Sequence, residues 1–194
     1  PPPRSTPKTH RRQRQMCIRD SLGTDKGGFY SPAEAARARI QHLESMLLFW
    51  PYMAVVDAFQ HWVYENHQAA QEAENCDRCW AQLWERFMPG VDWGGLEQEM
   101  MTGWQRKPHI FDEPFYYIEY GMAQLGSVQI WRNSLEDREG SVAAYRQAIS
   151  LGRSVTIPEL YEAAGIRFAF DEQSLHTAVN TIMESIADLE LEID

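Results

Sequence analysis

Long apolar runs are missing from this sequence. No stretch of about 18 residues is apolar enough to span a bilayer, so no membrane partner is expected. There is no internal repeat, which sets aside solenoids and propellers. Cysteine is scarce, with three in 194 residues. Only Cys76 and Cys79 fall in the main body, which fits a reducing, cytoplasmic compartment. Positive charge is also short. Residues 1–20 hold six of the 18 basic residues and one of the 28 acidic ones, leaving 12 against 27 and a formal charge of −15 for the remainder. A body that acidic repels phosphates, so no nucleic-acid partner is expected. The basic start is followed by no apolar segment and is not a secretory signal.

What is present is a folded composition, 44% hydrophobic and 12% aromatic with seven Trp, at a length that suits one domain. The opening PPPRSTPKTHRRQRQ cannot bury enough surface to offset its ordering entropy. Residues 1–20 are therefore read as a disordered or artefactual tail. RQMCIRDS, residues 14–21, looks like translated sequencing-adapter read-through. The fold is expected in residues 21–194.

The body reads as all helical. Ser31-Pro32-Ala33-Glu34 is a capping box with Pro at the first helical position, opening a helix to about Phe49. Pro51 is expected to break or kink it. The next segment sets Val55, Phe59 and Trp62 on one face against Asp57, Gln60, His61 and Tyr64 on the other. Trp80, Leu83, Trp84 and Phe87 follow at helical spacing up to Pro89-Gly90, and residues 94–104 read as a short helix. Asp137 to Leu151 reads as an amphipathic helix with Val142, Tyr145 and Ile149 inward, closed by Gly152. Thr156 and Glu159 form a second capping box, IRFAF at 166–170 is an extended connector, and a last helix runs from about Glu172 to Leu189.

The segment with the most chemistry is PHIFDEPFYYIEYGMAQLGSVQIW, from Pro108 to Trp131. Asp112 as N-cap and Pro114 in the first turn predict a helix over about 112–133. Tyr117, Tyr120 and Gln124 would share one stripe, and Phe115, Ile118, Met122 and Leu125 would cover the other side. Gly121 and Gly126 each cost such a helix roughly 1 kcal/mol against Ala, so close backbone approach is expected there. Buried phenols must find partners or face a cavity. From the residues alone, core tyrosines with satisfied hydroxyls remain the plain alternative.

Other candidates are weaker. Cys76-x-x-Cys79 has no second Cys or Cys/His pair to complete a metal shell. His61 lies four residues after Asp57, so the carboxylate can orient the imidazole, a spacing more common in structural pairs than in catalytic ones. HWVYENH at 61–67 resembles H-E-x-x-H, but its Glu is misplaced and its two His cannot face one ion from a straight helix.

VDAFQHWVYEN at 56–66, HIFDEPFYYIEYGMAQLG at 109–126 followed by QIW, YRQAISLG at 145–152 and IPELYEAAGIRFAF at 157–170 together resemble the C-terminal part of the oligoendopeptidase F family. These are zinc metallopeptidases related to thimet oligopeptidase, and the likeness covers roughly residues 27–190. It implies a C-terminal helical segment of a channel-enclosing all-α fold, acting on short peptides, with the missing N-terminal part of the same polypeptide as its complement. It also implies zinc held by H-E-x-x-H and a downstream Glu, none of which this sequence contains. By the same resemblance His109 is the substrate-side histidine, and Tyr117 and Tyr120 are the transition-state tyrosines. Tyr116 competes with Tyr117 for its place, because the thimet branch carries a glycine-rich loop where this chain has Phe111 to Phe115. Asp57 and His61 would support them from behind. This segment alone is expected to be inactive. The alternative reading is a non-catalytic helical binding module.

Overall fold

The computed structural model describes residues 28–193. The tail expected over residues 1–20 lies outside them, as do the first residues of the expected folded body. Eight α-helices and two short 3-10 turns make up the described residues, with no strand. The helices are α1 (Pro32–Glu65), α2 (Ala73–Phe87), α3 (Glu97–Met101), α4 (Pro108–Asp112), α5 (Ile118–Glu136), α6 (Arg138–Leu151), α7 (Ile157–Ala163) and α8 (Glu172–Glu190). No described helix is long and apolar enough to cross a membrane.

The described residues divide into two units, one of residues 28–45 with 180–193 and the other of residues 46–179, so α1 and α8 each contribute to both. In the first, Ala35, Ala36 and Leu43 of α1 and Ile182 and Ile186 of α8 are buried. The capping box closes as expected, Ser31 N–H donating to Glu34 Oε2 at 2.9 Å. In the second unit, Val55, Val56 and Phe59 of α1 join Cys76, Cys79 and Trp80 of α2 in one apolar cluster. Trp80 meets Phe59 edge-on with ring centroids 5.2 Å apart.

Pro51 does not break the first helix: α1 continues through it for 34 residues. A proline inside a helix costs about 3 kcal/mol. Burial on either side of the missing hydrogen bond offsets it, since Met46, Met53, Val55, Val56 and Phe59 are all removed from solvent. Gln60 also departs from expectation, for it is 1% exposed rather than on the polar face. Its amide is consumed by the candidate site described below.

Within the second unit α5 packs on α6, and α6 on α7. The two glycines of α5 are seats for other side chains. At Gly121 a Cβ would lie 3.3 Å from Met53 Cγ, and Trp50 Nε1 donates to the Gly121 carbonyl at 3.1 Å. At Gly126 it would lie 2.9 Å from Tyr161 Cε1. Gln124 Nε2 donates to the Met46 carbonyl at 2.7 Å, so this residue ties α5 to α1. The connector at 166–170 is neither helix nor strand, and the Gln129 side chain takes up both backbone groups of Arg167 within it. Gln129 Oε1 accepts from Arg167 N–H at 3.0 Å, and its Nε2 donates to the Arg167 carbonyl at 3.1 Å.

The inward face of α6 differs from the periodicity. Ala148 is buried, whereas Val142 and Ile149 are 48% and 58% exposed. Gly152, at φ 55°, ends the helix as expected.

Gly126→Ala should destabilise the fold despite the helix propensity of alanine. Pushing the Tyr161 ring away costs on the order of 1–3 kcal/mol, more than the roughly 1 kcal/mol gained in propensity. A lower urea midpoint with unchanged m-value checks this, and Gly126→Ala combined with Tyr161→Leu should recover part of the loss.

Candidate active site

The helix expected from Asp112 is interrupted. Asp112 ends α4, Glu113 leaves the helical region at φ −140°, ψ 68°, and α5 starts only at Ile118, capped by Tyr117. Pro114 is the cause: its ring disfavours the helical conformation in the preceding residue, so it ends one helix instead of opening the next. Phe115 then takes φ 63°, a left-handed conformation costly for a bulky residue.

Three contacts hold Phe115 there. Its N–H donates to Gln60 Oε1 at 2.7 Å, while Gln60 Nε2 donates back to the Val56 carbonyl at 3.4 Å. Its ring lies 4.9 Å from the His61 ring and 5.0 Å from that of Tyr64. The Asp57–His61 pair forms as the spacing predicts, at 3.5 Å. Burial raises the Asp57 carboxyl pKa and the His61 charge pulls it back. His61 thus lies against Phe115 of the turn, with Asp57 as its own partner.

The reversal at 113–117 brings His109 back over the start of α5. Eleven residues of straight helix would separate His109 from Tyr120 by about 16 Å. Instead His109 Nε2 and Tyr120 Oη are 3.5 Å apart, at the limit of hydrogen-bond distance. His109 sits in the first turn of α4, with Pro108 at the helix start. Its ring is 5.1 Å from that of Tyr117. Tyr117 and Tyr120 are 5.6 Å apart, so these two do share a face, while Gln124 is spent on α1.

The tyrosines differ in setting. Tyr117 is half-buried, and Tyr116 is 40% exposed, edge-on to Tyr120 at 5.5 Å. The Tyr116 phenol pKa is raised, first by Tyr120 and then by Glu119. Tyr52, which the sequence did not single out, meets Tyr117 edge-on at 6.1 Å. Burial raises the Tyr52 phenol, and the Tyr117 side chain offsets part of that rise. Gln60, Phe115 and Tyr52 are the supporting residues that sequence reasoning missed. Gln60 had one readable signal, its place four residues after Val56 on a stripe that is otherwise apolar.

Among the described residues no three His, Cys, Asp or Glu side chains come together to hold a metal ion. The zinc implied by the resemblance therefore has no ligand set here. Cys76 and Cys79 are buried thiols, and Cys76 Sγ donates to the Ala70 carbonyl at 3.4 Å. Burial pushes the Cys79 thiol up to about 11, with Cys76 adding to the rise, and burial raises that of Cys76 as well.

The family model for peptidase family M3 matches residues 25–179. The chain belongs to that family. Among solved structures it is similar to a PZ peptidase A with inhibitor 2, at 31% identity and a TM-score of 0.74 over 80% of this chain. The chain spans about a quarter of that structure's length, 27%. No curated protein matches it. The M3 relationship accounts for the all-α segment and makes the family reading from the motifs at 56–66 and 109–126 correct at the level of M3.

Replacing Gln60 by Leu should leave the Phe115 N–H without its partner and cost about 1–3 kcal/mol, seen as a lower denaturant midpoint. In a Cys17→Ser background, Cys76 and Cys79 should resist alkylation at pH 8 in the native chain and react on unfolding, because both thiols stay protonated and covered. Incubated with excess zinc and desalted, the M3 chain should retain less than one equivalent.

Proposed function

We propose that this chain supplies the carbonyl-polarising part of an oligoendopeptidase-F-like active site that hydrolyses short peptides. The observation that carries the proposal is the convergence of His109 Nε2 and Tyr120 Oη to 3.5 Å, with the Tyr117 ring beside them. Three hydrogen-bonding side chains from two helices and a cap meet there, in a chain of peptidase family M3.

A phenol with a pKa near 10 stays protonated at neutral pH and donates a hydrogen bond. An imidazole can donate to a peptide carbonyl when the proton is on the facing nitrogen. When the carbonyl is attacked, charge develops on its oxygen, and donors fixed beforehand bind that state better than the ground state. Tyr120 and Tyr117 are assigned this role, and His109 holds the substrate carbonyl in place. Tyr116 lies at the exposed edge and is assigned to substrate contact. Asp57 and His61 act through Phe115, keeping the turn in place without touching substrate. The family's zinc would supply activated water for the attack, with ligands other than the described residues. Oligoendopeptidase F preference, as against other M3 specificities, is supported by the HIFDEPFYYIEYG segment.

The test is a chimera in which this chain replaces the matching segment of an active M3 peptidase. Tyr120→Phe and Tyr117→Phe should each lower kcat ten-fold or more with little change in KM. Loss of one such donor typically costs a hundred- to a thousand-fold. Tyr116→Phe should affect kcat much less, and His109→Ala should weaken substrate use without lowering the melting temperature. Wild-type turnover in both Tyr117→Phe and Tyr120→Phe would return these residues to the core.

A further inference from the structure

Tyr52 also lines a separate recess of about 240 Å³, together with Trp80, Trp84, Trp93, Arg106 and Lys107. Its walls are aromatic: Trp84 and Trp93 meet edge-on with centroids 5.1 Å apart, and Tyr52 packs against Trp84 at 5.7 Å. The Trp80 and Trp93 indole nitrogens are buried without a hydrogen-bond partner. Two other indoles of the same molecule are paired. Trp104 Nε1 donates to Asp77 Oδ1 at 2.7 Å, and Trp50 Nε1 to the Gly121 carbonyl.

An indole N–H can only donate, and a buried donor left unpaired is costly. Trp80 is 1% exposed, so it has little access to water. Gly103 also lines the recess, and a Cβ there would lie 3.1 Å from Trp80 Nε1. A side chain there would press on that nitrogen, so the glycine lets the backbone form this part of the wall. Two cationic side chains line the same space, with Glu99 as the opposing carboxylate. Lys107 Nζ is placed 4.7 Å over the Tyr52 ring. The donor set and the charge balance favour an acceptor group carrying negative charge.

We propose that this recess binds an aromatic carboxylate, its ring against Trp84 and Trp93 and its carboxylate facing Arg106, Lys107 and the two indole N–H groups. The size agrees, since pockets for drug-sized ligands run from about 300 to 1,000 Å³ and this one is smaller. It accommodates one aromatic group with a short acid arm and excludes a whole peptide. The ligand follows from the recess itself and does not depend on the roles assigned to His109, Tyr117 and Tyr120.

The experiment titrates the 194-residue chain with 3-phenylpropionate by isothermal calorimetry, beside its neutral amide and a phenethyl-trimethylammonium cation. Saturable binding of the carboxylate, at least ten-fold tighter than of the amide and weakened by salt, is the expected result. Arg106→Gln and Gly103→Ala should each weaken it ten-fold or more. Arg106 is exposed, so that variant should melt as the parent does and decides the matter even if Gly103→Ala disturbs folding. Equal binding of carboxylate and amide, preference for the cation, no saturable binding, or full binding by Arg106→Gln would each overturn the proposal.

Discussion

The hydrogen bond from Phe115 N–H to Gln60 Oε1 is the contact on which the candidate site depends. A left-handed phenylalanine between two helices is held there at a cost of about 1–3 kcal/mol, and persists only where its surroundings over-determine it. A fully buried amide on α1 and two aromatic contacts supply that determination. The price of the strained turn is met by packing on a helix that is already anchored in the core. What the turn produces is the reversal that sets a histidine from one helix against a tyrosine from the next.

The same economy of contact governs α5. Its glycines remove side chains where Trp50, Met53 and Tyr161 need to come close, and so the helix is fixed from two directions. Gln124 and Gln129 extend that fixing by bonding backbone groups of α1 and of the connector after α7. A helix so held can present Tyr120 in one position, which the role proposed for it would require. Rigidity of the support and chemistry of the site are one arrangement.

The aromatic chain from His109 through Tyr117 to Tyr52 continues to Trp84, linking the site to the tryptophan-lined recess. The two places differ in what they offer. Around His109 the polar groups are phenols and an imidazole, able to exchange donor and acceptor roles. In the recess the groups are indole donors and two cations, with Glu99 as an opposing carboxylate. The first suits the proposed stabilisation of a developing charge, and the second the proposed binding of an acid.

Helix content and both capping boxes were readable because each rests on residues near in sequence. The glycines of α5 signalled close approach, while their partners Trp50, Met53 and Tyr161 come from distant segments. Kinship with peptidase family M3 was readable too, from motifs long enough to be specific. The spacing of Asp57 and His61 gave their pairing for the same local reason. Tertiary structure decided the rest. Pro114 could open a helix or end one, and the choice fell to a hydrogen bond from a glutamine 55 residues away. The same amide drew Gln60 inside, and core burial carried α1 through Pro51. Which face of α6 turned inward did not follow the hydrophobicity of Val142 and Ile149. Local preferences here amount to about 1 kcal/mol each, so a buried polar contact or a packed interface between distant segments is enough to reverse them.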